Sequence, residues 1–190
     1  MNVGLFFGSF NPIHIGHLVI ANTVVQLDLC EQIWFVLSPQ NPFKKIDGLL
    51  DENDRLRLVE LAIMDNPYFK LNDIEFYLPK PNYTYLTLRE LRKRHPERIF
   101  SLVMGADNIA DFPNWHFYEE ILENHRIYVY PRPYAPKTDM IYHPKVKLIE
   151  APLFEISATF IRDCIRRNKS VKYLLPDEVE KYIKYKGLYK

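Results

Sequence analysis

The chain has 190 residues, is 47% hydrophobic and has a formal net charge of +1. Its length and composition favour one compact domain of α/β size over residues 1–190, and the balanced charge gives no sign of long nucleic acid or an anionic membrane as a partner. Met1 leads directly into the first apolar run, without the segments of a signal peptide or a transmembrane span. We therefore predict a cytoplasmic protein, and the composition leaves open whether it forms a homo-oligomer.

The first seventeen residues, MNVGLFFGSFNPIHIGH, predict a strand, a tight turn and a helix. Residues 3–7 form an apolar run bounded by Gly8, which is typical of a buried strand. A helix that begins near His14 places His14 and His17 on one face, beside N–H groups and a dipole end that stabilise an anion. A cap, a surface position or a zinc site are the competing explanations for these histidines. No cysteine or carboxylate nearby completes a zinc site, so no protein metal site is predicted.

The rest of the chain alternates between predicted strands and helices. Strands are predicted at residues 33–37, 69–77 (with an irregular extension), 99–104, 125–130 and 145–149. Helices are predicted at residues 18–29, 51–64 and 86–94, then from Ser157 onward and between Pro176 and Gly187. Ser157 is a good N-cap, and Thr84 is able to cap the helix over 86–94.

Several loop residues have two explanations each. Lys44 and Lys45 are either solvated or lie in the ligand crevice beyond a strand end. Asp107, after Gly105, either accepts hydrogen bonds from a ribose or caps a helix, with about equal weight. Trp115 is more often a core residue than a ligand contact, and Arg132 is either a phosphate ligand or a surface residue.

The stretch ISATFIRDCIRRN places Thr159 and Arg162 three residues apart on one helix face. An arginine this close to a helix N-terminus opposes the helix dipole, and no acid in the first turn offsets it. A bound anion would remove that conflict and use the free N–H groups of the first turn. The stretch therefore indicates a second anion site.

Two motifs resemble the HIGH-type nucleotidylyltransferases. GSFNPIHIGH is similar to G-[ST]-F-[DN]-P-x-H-x-G-H, in which Asp is commoner where Asn11 stands, and ISATFIR is similar to I-S-[AS]-T-x-[IV]-R. A class I aminoacyl-tRNA synthetase would also carry KMSKS, which this chain lacks. PNYT, GAD followed by PNW, and the tail LLPDEVEKYIKYKGLY resemble the nicotinate-mononucleotide adenylyltransferase branch.

The resemblance implies a Rossmann-like, doubly wound parallel sheet with helices on both faces. It implies adenylyl transfer from ATP, with Mg²⁺, to nicotinate mononucleotide, which yields the dinucleotide and pyrophosphate. The implied catalytic residues are His14, His17, Lys45 and Arg162. The implied ATP-binding residues are Gly8, Ser9, Phe10, Lys44, Gly105, Asp107, Ser157 and Thr159, and the implied mononucleotide contacts are Thr84, Trp115 and Arg132.

Three alternatives stay open, and one of them, the cytidylyltransferases, differs in the second motif. Phosphopantetheine adenylyltransferases share both phosphate motifs, but they are usually shorter and lack PNYT with the later PxW. A sensor domain that binds nucleotide without turnover is the non-enzyme alternative, although the intact histidines and ISATFIR argue against it. The sequence does not decide between nicotinate and nicotinamide mononucleotide.

Overall fold

The computed structural model describes residues 1–40, 48–153 and 155–190. The strands of these residues pair in parallel as one six-stranded sheet with the order β3-β2-β1-β4-β5-β6. They are β1 (Asn2–Gly8), β2 (Gln32–Leu37), β3 (Phe69–Asn72), β4 (Ile99–Gly105), β5 (Ile127–Tyr130) and β6 (Val146–Leu148). Chain order reverses between β1 and β4, the kind of position at which open α/β sheets bind ligands.

Helices cover both faces of this sheet. They are α1 (Ile15–Gln26), α2 (Glu52–Ile63), α3 (Thr84–Arg94), α4 (Ala106–Asp111), α5 (Tyr118–Asn124), α6 (Ala158–Arg166) and α7 (Asp177–Lys186). Alternate strand residues point to opposite faces: Phe35 packs with residues of α1, α2, α6 and α7, whereas Trp34 and Val36 pack with residues of α3, α4 and α5. The predicted doubly wound sheet is confirmed. Within the described ranges, no helix is long and apolar enough to cross a membrane.

Local sequence signals placed most elements correctly. The Asp51 side chain accepts a hydrogen bond from the Asn53 N–H at the start of α2. Ser157 likewise accepts from the Phe160 N–H at the start of α6. Gly187 ends α7 in the left-handed conformation, at φ +66°, which glycine adopts without steric cost. The boundaries at Ser157 and Gly187 confirm the predictions made from these residues, and the helix predicted over 51–64 begins at Glu52 with Asp51 as its N-cap.

Four details of the prediction were wrong. Tyr83, not Thr84, is the N-cap of α3, because the helix already begins at Thr84. Helix α1 ends at Gln26 and does not reach residue 29. His125 ends α5 instead of beginning β5, and its ring Nδ1 lies 2.8 Å from the Phe100 carbonyl oxygen. The apolar spacing in ISATFIRDCIRRN predicts that Phe160, Ile161, Cys164 and Ile165 form one apolar face of α6, but Phe160 is 54% exposed, whereas Ile161 and Cys164 are buried.

Candidate active site

The carboxyl-terminal edge of the sheet gathers the predicted site residues. Gly8 ends β1, Gly105 ends β4, and Arg132 lies two residues after β5. Because the strands are parallel and adjacent in the order β1-β4-β5, these three positions fall on the same edge. The edge therefore presents the turns that the sequence singled out.

The turn after β1 is built around Phe10. Phe10 is 2% exposed and adopts a left-handed backbone, at φ +44°. A Cβ added at Gly8 would lie 2.8 Å from the Phe10 ring, so glycine is needed for this close approach. The Phe10 ring packs edge-on against His17, with 5.2 Å between ring centroids. Phe10 thus supports the His17 ring from the core side.

His14 and His17 lie together at the start of α1, as predicted. Their rings stack with centroids 3.7 Å apart, and the His14 backbone N–H donates to His17 Nδ1 over 3.2 Å. Since Nδ1 accepts this bond, a neutral His17 carries its proton on Nε2. The hydrogen bond holds the His17 ring against the His14 backbone, and the stacking orients the two rings relative to each other. The backbone N–H of Ile15 donates to the Leu174 carbonyl, so this helix-terminal donor is used within the protein.

His14 is a neutral group at physiological pH. It is 3% exposed, and burial lowers the pKa of His14 to about 4, with a further lowering by the positive charge of Arg132. Burial disfavours the charged imidazolium, and a nearby cation does the same. His14 is therefore a hydrogen-bonding group in the free protein and not a cation.

Arg162 joins the two phosphate motifs. Its Nη1 donates to the Asn11 carbonyl over 2.7 Å, and its Nη2 donates to Thr159 Oγ1 over 3.2 Å. The first bond spans 151 positions of the chain and holds the start of α6 against the turn after β1. The predicted proximity of Thr159 and Arg162 is confirmed.

The turn after β4 brings Asp107 and Arg132 together. Arg132 Nε lies 3.4 Å from Asp107 Oδ1, and both side chains are partly exposed. A Cβ at Gly105 would collide with the Asp107 carboxylate and crowd Arg132, so glycine permits this arrangement. Gly105 itself occupies the N-cap position of α4, and Asp107 lies in the first turn. The alternative of Asp107 as a helix cap is therefore wrong.

A third cluster contains Thr84 and Trp115. Tyr83 stacks against His116 with ring centroids 4.3 Å apart, which brings the PNYT and PNW segments together. Trp115 is half-buried, and its ring packs against Phe112 at 5.3 Å. Thr84 is the first residue of α3 and is also half-buried. Trp115 therefore contributes to the core and also reaches the surface.

Two predicted residues, Lys44 and Lys45, lie outside the described residues. In the part of the chain that is described, no group of three or more His, Cys, Asp or Glu side chains could hold a metal ion. Ser9 is described, and its carbonyl accepts a hydrogen bond from Arg55 over 2.9 Å.

Sequence reasoning missed two buried charged residues beside the site. Arg55 is 1% exposed. It lies three, four and seven residues before the buried Leu58, Val59 and Ala62, and this helical spacing could have predicted that Arg55 is buried on the same face. Glu75 is also 1% exposed and accepts a hydrogen bond from Thr87 Oγ1 over 2.8 Å. Burial raises the pKa of Glu75 to about 7, although hydrogen bonds from Ser38 and Thr87 oppose the rise. In the sequence, the only indication that Glu75 is buried is its position between the apolar residues Ile74 and Phe76.

Comparison with known proteins supplies the family. A family described as cytidylyltransferase-like matches residues 5–164. A probable nicotinate-nucleotide adenylyltransferase of Flavobacterium psychrophilum is 50% identical and covers all of both chains. One of Cytophaga hutchinsonii is 49% identical over 96% of this chain and 95% of its own.

A solved structure is similar in fold. It is the Plasmodium falciparum nicotinic acid mononucleotide adenylyltransferase complexed with NaAD, with a TM-score of 0.82 and 22% identity. The match covers 99% of this chain and 97% of that chain. At this identity the likeness concerns the fold.

Proposed function

We infer that this chain, which belongs to the nicotinate-nucleotide adenylyltransferase family, transfers the adenylyl group of ATP to nicotinate mononucleotide. The observation that carries this function to the site is the Arg162–Asn11 hydrogen bond of 2.7 Å, which unites the two phosphate motifs. The enzyme is a nucleotidyltransferase of NAD biosynthesis. Its products are nicotinate adenine dinucleotide and pyrophosphate.

The reaction exchanges one phosphorus–oxygen bond for another. An oxygen of the mononucleotide phosphate attacks the α-phosphorus of ATP, and the bond from that phosphorus to the α,β-bridging oxygen breaks. Because the attacking phosphate is already anionic at neutral pH, the step needs no general base. The protein's work is to align the two phosphates and to stabilise charge on the α-phosphate and the leaving pyrophosphate.

His14 and His17 are proposed to contact the α- and β-phosphates. Because Nδ1 of His17 accepts the His14 backbone N–H, a neutral His17 ring donates through Nε2–H. His14 is neutral in the free protein, so it would act as a hydrogen-bond donor. Donors that are already oriented before the substrate arrives stabilise developing charge most effectively. Gly8, Ser9 and Phe10 would shape the turn that admits the triphosphate.

The start of α6 is proposed to hold the β- and γ-phosphates. Arg162 supplies a fixed positive charge there, and Thr159 adds a hydroxyl that contacts it. Because the Ser157 hydroxyl accepts the capping hydrogen bond, Ser157 would contact the phosphates through its backbone and the neighbouring N–H groups. Lys45 and Lys44 remain the predicted cations for the transition state and the leaving group.

Mg²⁺ is proposed to enter with ATP as part of the substrate. When bound, it neutralises phosphate charge and keeps most of its waters, which suits a site whose protein groups are chiefly donors. His14, His17 and Arg162 would then contact phosphate oxygens directly.

The cluster around Trp115 is proposed to bind the mononucleotide. The half-buried Trp115 ring would stack on the pyridine, and Thr84 would border it. Arg132 would bind the mononucleotide phosphate, and Asp107 would accept hydrogen bonds from a ribose. The Tyr83–His116 contact supports this assignment, because it joins the two segments that carry Thr84 and Trp115.

A pyrophosphate-release assay tests this function. Purified protein with ATP and Mg²⁺ is given nicotinate mononucleotide, nicotinamide mononucleotide or phosphopantetheine in parallel. We expect rapid release with the nicotinate compound, and its ratio to the nicotinamide compound measures acid specificity. Release with phosphopantetheine alone would assign the second adenylyltransferase class. ATP binding without release in any arm would identify a sensor.

A further inference from the structure

We propose that Arg55 is a positioning residue for adenylyl transfer, which fixes the turn after β1 relative to both flanks of the lysine-bearing segment 41–47. The proposal rests on the proposed function, but it concerns a residue outside both phosphate motifs. Arg55 lies in the first turn of α2 and is among the largest fully buried side chains of the described residues.

The Arg55 guanidinium donates to carbonyl oxygens of three separate segments. Nη1 bonds to Ser9 at 2.9 Å and to Ser38 at 3.0 Å, which places the ends of β1 and β2 on a single nitrogen. Nη2 bonds to Pro39 at 3.1 Å, and Nε bonds to Leu50 at 3.0 Å. Four of the five N–H groups are thereby used in one rigid fork.

These acceptors lie in or beside the segments that carry the residues proposed to bind phosphate. Ser9 belongs to the turn that leads to the two histidines, whereas Ser38, Pro39 and Leu50 lie on either side of residues 41–47. Asn11 makes a second tie: its Nδ2 donates to the Gly48 carbonyl over 2.9 Å, and its Oδ1 accepts from the Leu50 N–H over 3.3 Å. The Asn11 carbonyl in turn accepts from Arg162. One continuous set of bonds therefore runs from α6 to the end of β2.

A role in folding stability alone does not explain why a charged side chain is buried at position 55. Arg55 is 1% exposed, and no carboxylate in the described ranges forms an ion pair with it. A buried cation without a paired anion is costly unless hydrogen bonds satisfy it. An apolar side chain would fill the same volume but could not hold three chain segments at once. The fork geometry explains why an arginine occupies the position.

The test compares Arg55→Lys with Arg57→Lys. Both changes keep the charge on α2, but Arg57 is half-exposed and pairs with Glu60 at the surface. Lysine donates from one nitrogen only and cannot reproduce the fork. We expect Arg55→Lys to lower kcat about 100-fold, the effect of a 1 Å misplacement. The KM for nicotinate mononucleotide should stay within about threefold, and Arg57→Lys should behave as the wild type.

The assay is run well below the unfolding midpoint of each variant, and kcat is expressed per folded molecule. A folded Arg55→Lys protein with the wild-type kcat would overturn the proposal. A second variant, Asn11→Ala, removes the side-chain tie to Gly48 and Leu50 without unpairing a buried charge. It should lower kcat by less than the about 100-fold expected of Arg55→Lys, because it removes only part of the set of bonds, and wild-type kcat there would also count against the proposal.

Hydrogen exchange separates this proposal from the proposed function. In Arg55→Lys, amides of residues 8–11 and 48–52 should exchange faster than in the wild type, whether or not pyrophosphate is released. A wild-type protein inactive with every acceptor would refute adenylyl transfer, while unchanged exchange in Arg55→Lys would refute the tie itself.

Discussion

The part of the site proposed to bind the triphosphate, the triphosphate end, and the part proposed to bind nicotinate mononucleotide, the mononucleotide end, are built differently. At the triphosphate end, His14 is 3% exposed and stacked on His17, and Arg162 is hydrogen-bonded to the turn after β1. At the mononucleotide end, Trp115 is half-buried and packs against Phe112 at 5.3 Å, and the exposed His116 contacts Tyr83 at 4.3 Å, which joins the two segments. One end is fixed by directional polar bonds and the other by aromatic packing.

The difference fits the work proposed for each end. Stabilising charge on a transferring phosphoryl group requires donors held in place before the reaction, because reorganising them would raise the barrier. A flat pyridine ring needs a stacking surface, which tolerates small displacements. The comparison predicts that changes at the triphosphate end reduce kcat or raise the KM for ATP, whereas changes at the mononucleotide end raise the KM for nicotinate mononucleotide.

The largest expected effect is that of His17→Ala. Loss of one oriented donor to a developing negative charge reduces kcat by about 10²–10³-fold. The KM for nicotinate mononucleotide should change by less than about threefold, since that substrate lies at the other end. Steady-state pyrophosphate release gives both quantities.

A matched histidine serves as the control for that experiment. His143 Nδ1 also accepts a backbone N–H, from Lys145 at 3.1 Å, but His143 belongs to the segment before β6, to which no site residue is assigned. His143→Ala should leave kcat unchanged. Equal losses of kcat and mononucleotide affinity in His17→Ala would contradict the separation of the two ends.

The next effect concerns the buried Glu75, whose side chain accepts hydrogen bonds from Ser38 and Thr87. Its pKa rises from an ordinary value of 4.5 to about 7, so the folded protein holds this proton more tightly than the unfolded chain. The proton on Glu75 therefore contributes fully to the free energy of unfolding below pH 4.5, and this contribution is lost as the pH rises to about 7. The loss amounts to about 3 kcal/mol.

Glu75→Gln replaces the protonated acid with a neutral side chain of the same shape. The difference in free energy of unfolding between wild type and variant should therefore change with pH over that window and stay constant above it. Urea unfolding at several pH values measures it. The exposed Glu119→Gln is the control, and a pH-independent difference for Glu75→Gln would refute the buried proton.

The smallest effect is expected for Ser157→Ala. Loss of the hydroxyl that caps α6 costs about 1 kcal/mol, which lowers the unfolding midpoint by about 2–4 °C in a chain of this size. Ser170→Ala is the control, because Ser170 also accepts a backbone N–H but does so outside a helix cap. An unchanged midpoint with a large rise in the KM for ATP would show that the Ser157 hydroxyl binds phosphate directly.

Features encoded by neighbouring residues were predictable. The apolar run before Gly8 predicted β1, the amphipathic stretch 51–64 predicted α2, and the capping residue Ser157 predicted the start of α6. Thr84 was misplaced by one position, because a threonine before an apolar stripe suits both the N-cap and the first turn. The adjacent Tyr83 adopts the extended backbone of the cap instead.

Features that depend on tertiary contact were not predictable. The Arg162–Asn11 bond joins residues 151 positions apart, and no local pattern specifies it. Asn11 was noticed only as a departure from the commoner Asp, although its amide both donates to Gly48 and accepts from Leu50. The four acceptors of Arg55 are backbone carbonyls, which every residue type provides, so their arrangement follows only from the folded chain.

The most direct test of the two-ended site is a crossed kinetic measurement on Arg162→Lys and Trp115→Ala, with the KM for each substrate determined in both variants. Loss of the Arg162 fork should raise the KM for ATP about tenfold or more, and loss of the stacking ring should raise the KM for nicotinate mononucleotide about tenfold. Each variant should leave the other substrate's KM within about threefold. A Trp115→Ala protein that loses affinity for ATP instead of the mononucleotide would contradict the account.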